Sequence, residues 1–125
     1  MSDPLIRFSI QFTQHSRVGS AEIDLLEAIH RAGSLSQAAR DLRISYRHAW
    51  LLLHSLNHAL RSPVAVAKRG GSGGGGAYLT GLGESLVVSY RVLEHEFAQV
   101  AAGWLQVIIP MAAEQRIDLA AGSDA

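Results

Sequence analysis

The sequence predicts a mainly α-helical fold with a small antiparallel β-wing, and three observations predict it. Apolar residues between positions 33 and 60 recur at helical spacing in two blocks separated by a turn. Six of the seven residues in 70–76 are glycine, and short β-prone segments flank them. Apolar residues from 86 to 104 then repeat in steps of four and three. This order of parts is that of a winged helix-turn-helix followed by a long helix.

Length and composition fit one globular domain. The chain has 125 residues, of which 48% are hydrophobic and 18% charged. It contains no cysteine, which excludes a disulfide framework, a thiolate zinc site and a cysteine nucleophile. Asp3 and Pro4 stand where a signal peptide would carry positive charge, and no apolar run reaches the roughly 20 residues of a membrane span. We therefore expect a cytoplasmic protein without a membrane segment.

The N-terminal segment predicts one strand and one helix. Residues 5–13 alternate strictly, which predicts a half-buried strand with Ile6, Phe8, Ile10 and Phe12 on its inner side. Ser20 is expected to cap a helix that runs to about residue 31. The glycine at position 33 is expected to end it.

Residues 34–60 predict the helix-turn-helix itself. Ser34 followed by Gln37 is a capping-box pattern for a short helix that continues to residue 42. Ser45 can cap a second helix that ends near residue 60, before Pro63. Trp50, one turn into that helix, is interpreted as core packing because a large apolar ring gains most from burial. The residues expected to be buried on the second helix are Ala49, Leu52, Leu53, Leu56 and Leu60.

The remaining chain predicts a wing and a long helix. Residues 64–79 form the wing, which completes a DNA-binding domain over residues 1–80. Thr80 caps a helix in which residues 81–108 alone would span about 42 Å, more than a small domain can cover. We expect this helix (81–110) to form a twofold homodimer, with residues 111–125 as a tail. The apolar stripe proposed for dimerisation consists of Leu86, Tyr90, Leu93, Phe97, Val100 and Trp104.

The charge distribution is strongly uneven, although the net charge is zero. Residues 31–69 carry seven basic side chains and a single acid, Asp41, for a net charge of +6. The rest of the chain carries four basic and ten acidic groups, for a net charge of −6. The positive half coincides with the two-helix unit and the wing, where the phosphates of a DNA duplex would lie.

Several motifs together resemble the ModE-type molybdate-responsive regulators. They are Gly-Ser-Leu-Ser-Gln-Ala-Ala at 33–39, Ile-Ser-Tyr-Arg at 44–47 with Ala-Trp at 49–50, the glycine-rich 70–77 and Leu-Thr at 79–80. The resemblance covers roughly residues 22–93. A LysR-type helix-turn-helix shares the serine-rich first part but not this wing.

The resemblance implies the N-terminal, dimeric, DNA-binding half of such a regulator. In that family molybdate or tungstate binds in C-terminal domains built as small β-barrels, and no residue here matches that part. We therefore expect no direct binding of molybdate or tungstate and no other cofactor. Sensing by a separate protein and constitutive regulation remain the two alternatives.

The start of the second helix supplies the candidate base-reading residues. Ser45, Tyr46, Arg47 and His48 form its first exposed turn, which would enter the major groove. Arg47 is the main candidate because a guanidinium can hold guanine through two hydrogen bonds; a phosphate contact or a solvated side chain is the alternative. Tyr46 could contact a thymine methyl or a phosphate, or equally pack on its neighbours.

Phosphate contacts are predicted at two further places. Ser36 and Gln37 begin the preceding short helix, where free backbone N–H groups favour an anion, although Gln37 also has the capping role. Lys68, Arg69 and Ser72 lie in the wing and could hold phosphates or the minor groove. The glycine run lacks the Gly-Lys-Ser/Thr ending of a nucleotide-binding loop.

Other chemistries have weak support in this sequence. His54 and His58 lie four residues apart on one helical face, but two imidazoles without a third ligand make a poor zinc site, so no metal is expected. Glu94 and Glu96 flank His95, yet adjacent helical residues face different directions, and no enzyme signature remains.

We therefore expect a non-enzymatic transcriptional regulator that binds an inverted-repeat site on double-stranded DNA. A protein-interaction module that docks through the long helix is the first alternative, and a small oxyanion- or metal-binding protein is the second.

Overall fold

The computed structural model describes residues 6–68 and 76–113. Two strands, β1 (Ser9–Thr13) and β2 (Ser16–Gly19), precede three helices, α1 (Ser20–Ala32), α2 (Leu35–Asp41) and α3 (Tyr46–Ala59). The strands β3 (Ala65–Ala67) and β4 (Ala77–Leu79) follow, and then α4 (Gly81–Ile108) and a 3-10 turn (Ile109–Met111). The predicted fold class is confirmed: the chain is mostly helical, with a small antiparallel hairpin and a long last helix. Among these residues no helix combines the length and apolarity needed to cross a membrane.

The N-terminal segment is a hairpin rather than the predicted single strand. β1 and β2 pair antiparallel with Ile10 opposite Val18, and a bulge lies between Gln11 and Thr13. Phe12, predicted to face inward, lies beside this bulge and is 46% exposed. The second strand was missed because four residues with two adjacent buried ones, at 18 and 19, show no alternation.

The first helix begins one residue earlier than its predicted cap implied. Gly19, not Ser20, is the N-cap of α1, and the Glu22 Oε1 accepts a hydrogen bond from the Gly19 N–H at 2.8 Å. The predicted end at Gly33 is confirmed: its φ of +74° lies in the left-handed region, which glycine adopts without steric cost.

The capping box of the second helix is only half formed. Ser34 Oγ accepts a hydrogen bond from the Gln37 N–H at 3.1 Å, as expected of an N-cap. The Gln37 side chain, however, donates to Asp41 Oδ1 and accepts from Arg40, both at 2.8 Å, rather than reaching back to the cap. Asp41 lies one turn further along the same face of α2, and the hydrogen bond that Gln37 donates to it replaces the expected bond from Gln37 back to the cap.

A single hydrophobic core joins the three short helices, both hairpins and the start of α4. The closest approach in this core is between α4 and the segment before β3. A Cβ atom added at Gly83 would overlap the carbonyl oxygen of Val64. Glycine is therefore required at this position so that the long helix can lie against the base of the wing. The fully buried large side chains are Val18, Ile23, Leu25, Leu26, Ile29, Leu56, Val64 and Tyr90.

The two halves of α4 differ in how they are covered. In the first half, Tyr90 is only 2% exposed, stacks on Phe8 with ring centroids 4.8 Å apart, and donates its hydroxyl to the Phe8 carbonyl at 2.7 Å. Burial raises the pKa of the Tyr90 phenol. Beyond Tyr90 the helix carries large apolar side chains that are 43–74% exposed from Val92 to Ile108, although the Phe97 ring contacts Phe8 with centroids 5.7 Å apart.

Arg91 joins this first half to α1. It donates two hydrogen bonds to the Glu27 carboxylate, at 2.8 and 3.1 Å, and one each to Asp24 and Glu94 at 2.8 Å. The hydrogen bonds that Arg91 donates hold the pKa of Glu27 below its usual range, and the acceptance of these bonds by Glu27, Asp24 and Glu94 raises the pKa of Arg91. This cluster fixes the angle at which α4 leaves the domain.

Candidate nucleic-acid interface

The helix-turn-helix is held together by a tight backbone turn between α2 and α3. Arg43 N–H donates to the Arg40 carbonyl and Ile44 N–H to the Ala39 carbonyl, each at 3.0 Å. To close this turn Arg43 adopts a φ of +59°, a region that side chains other than glycine enter at a cost. The turn leaves the Arg43 side chain exposed between the two helices.

The first turn of α3 presents the predicted residues together on an open surface. Ser45 Oγ accepts a hydrogen bond from the His48 N–H at 3.0 Å, so the cap predicted from sequence is present. Tyr46 is 54% exposed, which leaves its ring accessible rather than packed on its neighbours. Arg47 and His48 are also exposed. The inner side of the same helix is buried through Ala49, Leu53 and Leu56.

Trp50 is exposed, and its interpretation as a core residue was wrong. Its side chain is 45% accessible, because the buried line of α3 runs through Ala49 and Leu53 and position 50 lies about 100° around the helix from 49. The indole stacks on the His54 ring with centroids 4.9 Å apart and planes 11° from parallel. The prediction rested on the hydrophobicity of tryptophan and did not take into account the angular position of residue 50 on α3.

His54 and His58 extend this row of rings along α3. Their centroids are 4.2 Å apart, and His58 Nδ1 bonds to the His54 carbonyl at 2.8 Å, so this nitrogen carries the proton. Within the part of the chain that the structure describes, no group of three histidine, cysteine or acidic side chains could hold a metal ion. We call Arg47, Trp50, His54 and His58 the outer face of α3.

At the start of α2, the two predicted phosphate contacts differ in availability. Ser36 is exposed. Gln37 is half-buried, and its amide is engaged with Asp41 and Arg40. Ser36 is therefore free to approach a phosphate, whereas Gln37 serves mainly to order the polar side chains of α2.

The wing is a two-stranded antiparallel hairpin, with Ala65 opposite Leu79 and Ala67 opposite Ala77. Lys68 directly follows β3 and is exposed, and its N–H donates to the Gly76 carbonyl at 2.7 Å. The predicted contacts Arg69 and Ser72 lie outside the described residues.

Asn57, which sequence reasoning did not single out, connects α3 to the wing. Its side-chain oxygen accepts from the Val64 N–H at 2.8 Å, and its amide nitrogen donates to the Ala65 carbonyl at 3.0 Å. An asparagine near the end of a helix before a proline-containing turn was the available signal.

The ion pairs among the described residues lie on one side of the molecule, where α1 meets α4. Among residues 6–68 and 76–113, all salt bridges involve Arg91, which lies outside the positive half of the sequence. The basic side chains at 31, 40, 43, 47, 61 and 68 are exposed and make no salt bridge within these ranges. Their positive charge is thus available to an external anion.

The stripe predicted for dimerisation is divided by the fold. Leu86 is half-buried and Tyr90 buried against the chain's own core. The four residues beyond them are 43–74% exposed: Leu93, Phe97, Val100 and Trp104. Tyr90 is thus occupied within its own chain, and the surface open to a second chain begins after it.

Comparison with known proteins finds relatives of one kind. The chain is 40% identical over 89 residues to the "Molybdenum-pterin-binding protein MopB" of Rhodobacter capsulatus, which covers 71% of this chain and 33% of that protein. It is 38% identical over 93 residues to the "Molybdenum transport protein ModE" of Azotobacter vinelandii, covering 74% and 34%. It is 35% identical over 88 residues to the "DNA-binding transcriptional dual regulator ModE" of Escherichia coli K12, covering 70% and 34%.

No protein-family model matches the chain. The chain spans about a third of the length of these relatives. Their names describe transcriptional regulators and molybdenum-binding or transport proteins, and none is the name of an enzyme. The homologues of this chain are thus ModE and Mop proteins, which is consistent with a ModE-like family.

Proposed function

We propose that the chain is a sequence-specific regulator of transcription that binds an inverted-repeat site on double-stranded DNA as a homodimer. The observation that carries this proposal is the open first turn of α3, where Tyr46, Arg47 and His48 are exposed within the positive half of the molecule, whose described basic side chains make no salt bridge with the other described residues. The printed name of the Escherichia coli relative, a DNA-binding regulator, supports it.

In this arrangement α3 lies in the major groove and Arg47 hydrogen-bonds a base edge, for which guanine O6 and N7 are the best acceptors. Ser36, in the first turn of α2, and Arg43, in the α2–α3 turn, contact the adjacent phosphates. Lys68 contacts the backbone or the minor groove beside the site. The salt bridges elsewhere in the domain do not compete for these groups.

The open half of α4 supports the homodimer. Val100 and Trp104 are 74% and 69% exposed, on a helix whose preceding turns are packed into the core. Removing such side chains from water contributes about 1.5–3 kcal/mol each, and a second copy supplies an identical stripe. Two recognition helices related by a twofold axis would then read half-sites about one helical turn, or 34 Å, apart.

Salt dependence tests the DNA-binding part. Fluorescence anisotropy with a duplex selected by the full chain from a random pool should show an affinity that falls about tenfold or more between about 50 and 200 mM salt. Lys68→Gln should reduce the slope of the logarithm of the affinity against the logarithm of the salt concentration, because one phosphate contact is lost. Arg7→Gln is the matched control, since Arg7 is exposed but lies outside the positive half. An affinity that ignores salt would refute DNA binding.

Sedimentation tests the homodimer. Val100→Glu combined with Trp104→Glu in the full chain should convert dimers to monomers, since each carboxylate would be buried in the seam. Val88→Glu is the control, because Val88 is similarly exposed, at 62%, but lies two residues from Leu86 and Tyr90 and therefore off the apolar stripe. A double variant that stays dimeric would place the interface elsewhere. If the wild type is monomeric and binds no DNA, the interaction module becomes the better explanation of α4.

Molybdate and tungstate form a separate part of the proposal. The Mop and ModE relatives carry molybdenum in their names, but each is about three times as long as the aligned stretch. We place no oxyanion site in this chain. Calorimetry with molybdate should therefore give no binding heat, and a stoichiometric signal would overturn this part of the proposal while leaving DNA binding untouched.

A further inference from the structure

The outer face of α3 continues past Arg47 with an aromatic side chain that the domain leaves uncovered. Trp50 is 45% exposed, although tryptophan usually buries most of its surface. It follows Arg47 by three residues, so both side chains lie on the same side of the helix. No residue of the described core packs over this face, since the core of α3 consists of Ala49, Leu53 and Leu56.

The stack on His54 gives the indole a defined position. The two rings are nearly parallel, at 11°, with centroids 4.9 Å apart, and the His54 ring contacts His58 in turn. His58 is itself tied to the His54 backbone by a hydrogen bond of 2.8 Å. Because the His54 ring supports one face of the indole, Trp50 loses little conformational entropy when its open edge contacts a partner. The row therefore presents an ordered aromatic surface with the indole of Trp50 as its apolar member, rather than a freely rotating side chain.

Charge identifies the partner of this surface. The face lies within the region of net charge +6, whose basic side chains make no salt bridge among the described residues. A polyanion complements this charge, and the apolar group that DNA displays in its major groove is the thymine C5-methyl. A protein partner would also have to match this charge with a block of acidic groups.

We propose that Trp50 is a specificity-determining residue that recognises a thymine methyl group about one turn of α3 beyond the base read by Arg47. This inference rests on the proposed function, because it requires α3 to lie in the groove. Its ligand chemistry is a methyl-bearing pyrimidine of duplex DNA. His54 is a positioning residue that holds the indole in place.

Uracil substitution tests this contact directly, since uracil differs from thymine only by the missing methyl. With the selected duplex, each thymine is replaced in turn and the affinity of the full chain is measured by anisotropy. At one position in each half-site the affinity should fall about threefold to fivefold per methyl group, and other positions should change less. If no single substitution lowers the affinity of the wild type, the inference is wrong.

A double-mutant cycle assigns the effect to Trp50. Trp50→Ala should abolish the difference between thymine and uracil at that position, whereas Trp50→Phe should retain part of it. His54→Ala should weaken the discrimination without removing it. Phe12→Ala is the matched control, because Phe12 is equally exposed, at 46%, on another element, and its uracil profile should be that of the wild type.

The outcomes separate the two proposals. If the wild type binds no duplex in a salt-dependent way, DNA binding itself fails. If it binds a selected duplex and Trp50→Ala keeps the complete uracil profile of the wild type, only the role of Trp50 is overturned.

Discussion

The side of the domain formed by α1 and the first half of α4 differs from the side formed by α2 and α3 in how its charges are used. On the first side Arg91 is surrounded by Asp24, Glu27 and Glu94, and its charge is satisfied inside the chain. On the second side exposed basic residues such as Arg43 and Arg47 make no salt bridge with the described residues. The charges of the first side thus join α4 to α1, whereas the basic side chains of the second side remain accessible to an external anion.

The largest expected effect lies where α4 meets the wing. Gly83→Ala should lower the free energy of unfolding by about 3 kcal/mol or more, because the new Cβ would overlap the Val64 carbonyl and force the helix away. Chemical denaturation measures the loss. Gly81→Ala is the control, since a Cβ there meets nothing within 4 Å and its stability should not fall. A stable Gly83 variant would mean that α4 is not tightly seated.

On the opposite side the expected effect is on DNA discrimination rather than on stability. Arg47→Ala should reduce the preference for the selected duplex over a scrambled one by about 1–3 kcal/mol, because a base contact is lost. Lys68→Ala should weaken binding to both duplexes alike. Neither variant should change the unfolding free energy, as both side chains are exposed. Equal effects of the two variants on discrimination would contradict their separate roles.

A smaller effect is expected at the Arg91 cluster. Arg91→Met keeps the apolar stem but should cost about 1–2 kcal/mol at neutral pH, since four hydrogen bonds to three carboxylates are lost. Arg47→Met, which removes an exposed arginine outside any salt bridge, is the matched control and should leave the unfolding free energy unchanged. If both variants lose equal stability, the division between the two sides is wrong.

The same cluster predicts the pH dependence of stability. Because the pKa of Glu27 is lowered in the folded state, the unfolded state binds more protons as the pH falls below the ordinary value of 4.5. The stabilisation is thus present above that pH and is lost as the pH falls through the folded pKa. Denaturation at several pH values should give a steeper acid loss for the wild type than for Arg91→Met.

The smallest effect should have opposite signs for stability and binding. Arg43→Gly removes the steric cost of a φ of +59°, but glycine also increases the conformational entropy of the unfolded chain. The expected net gain in unfolding free energy is about 0.5–1 kcal/mol. DNA affinity should fall because a phosphate contact is removed. Denaturation and anisotropy on the same variant measure both. A variant that gains stability without losing affinity would remove Arg43 from the interface.

Local signals predicted most of the framework. The caps at Ser34, Ser45 and Thr80 and the glycine at position 33 were read from residue type and spacing, and each is present in the structure. Such signals act within one helical turn, so neighbouring residues suffice to detect them. The start of α4 also followed from its cap at Thr80, whereas its end at Ile108 lies two residues before the predicted end at residue 110.

The features that were missed depend on contacts between distant segments. β2 is recognisable only through its pairing with β1, and Arg91 meets Asp24 and Glu27 across more than sixty residues. Tyr90 was assigned to the surface stripe because its spacing fits the repeat, while its place under Phe8 depends on how the N-terminus returns to α4. The candidate interface at residues 45–48 and 68 stays a prediction from sequence. What the structure adds is that these residues are exposed.

The Asn57 side chain forms hydrogen bonds with the backbone of both Val64 and Ala65. These bonds bear on the spacing of the proposed DNA contacts. The Asn57 side chain joins the C-terminal part of α3 to the start of β3, so these two elements are expected to move together. In the proposed dimer, the distance between the contact of α3 in the groove and the contact of the wing beside it would be set within each subunit, and any adjustment to the spacing of two half-sites would come from the junction between subunits.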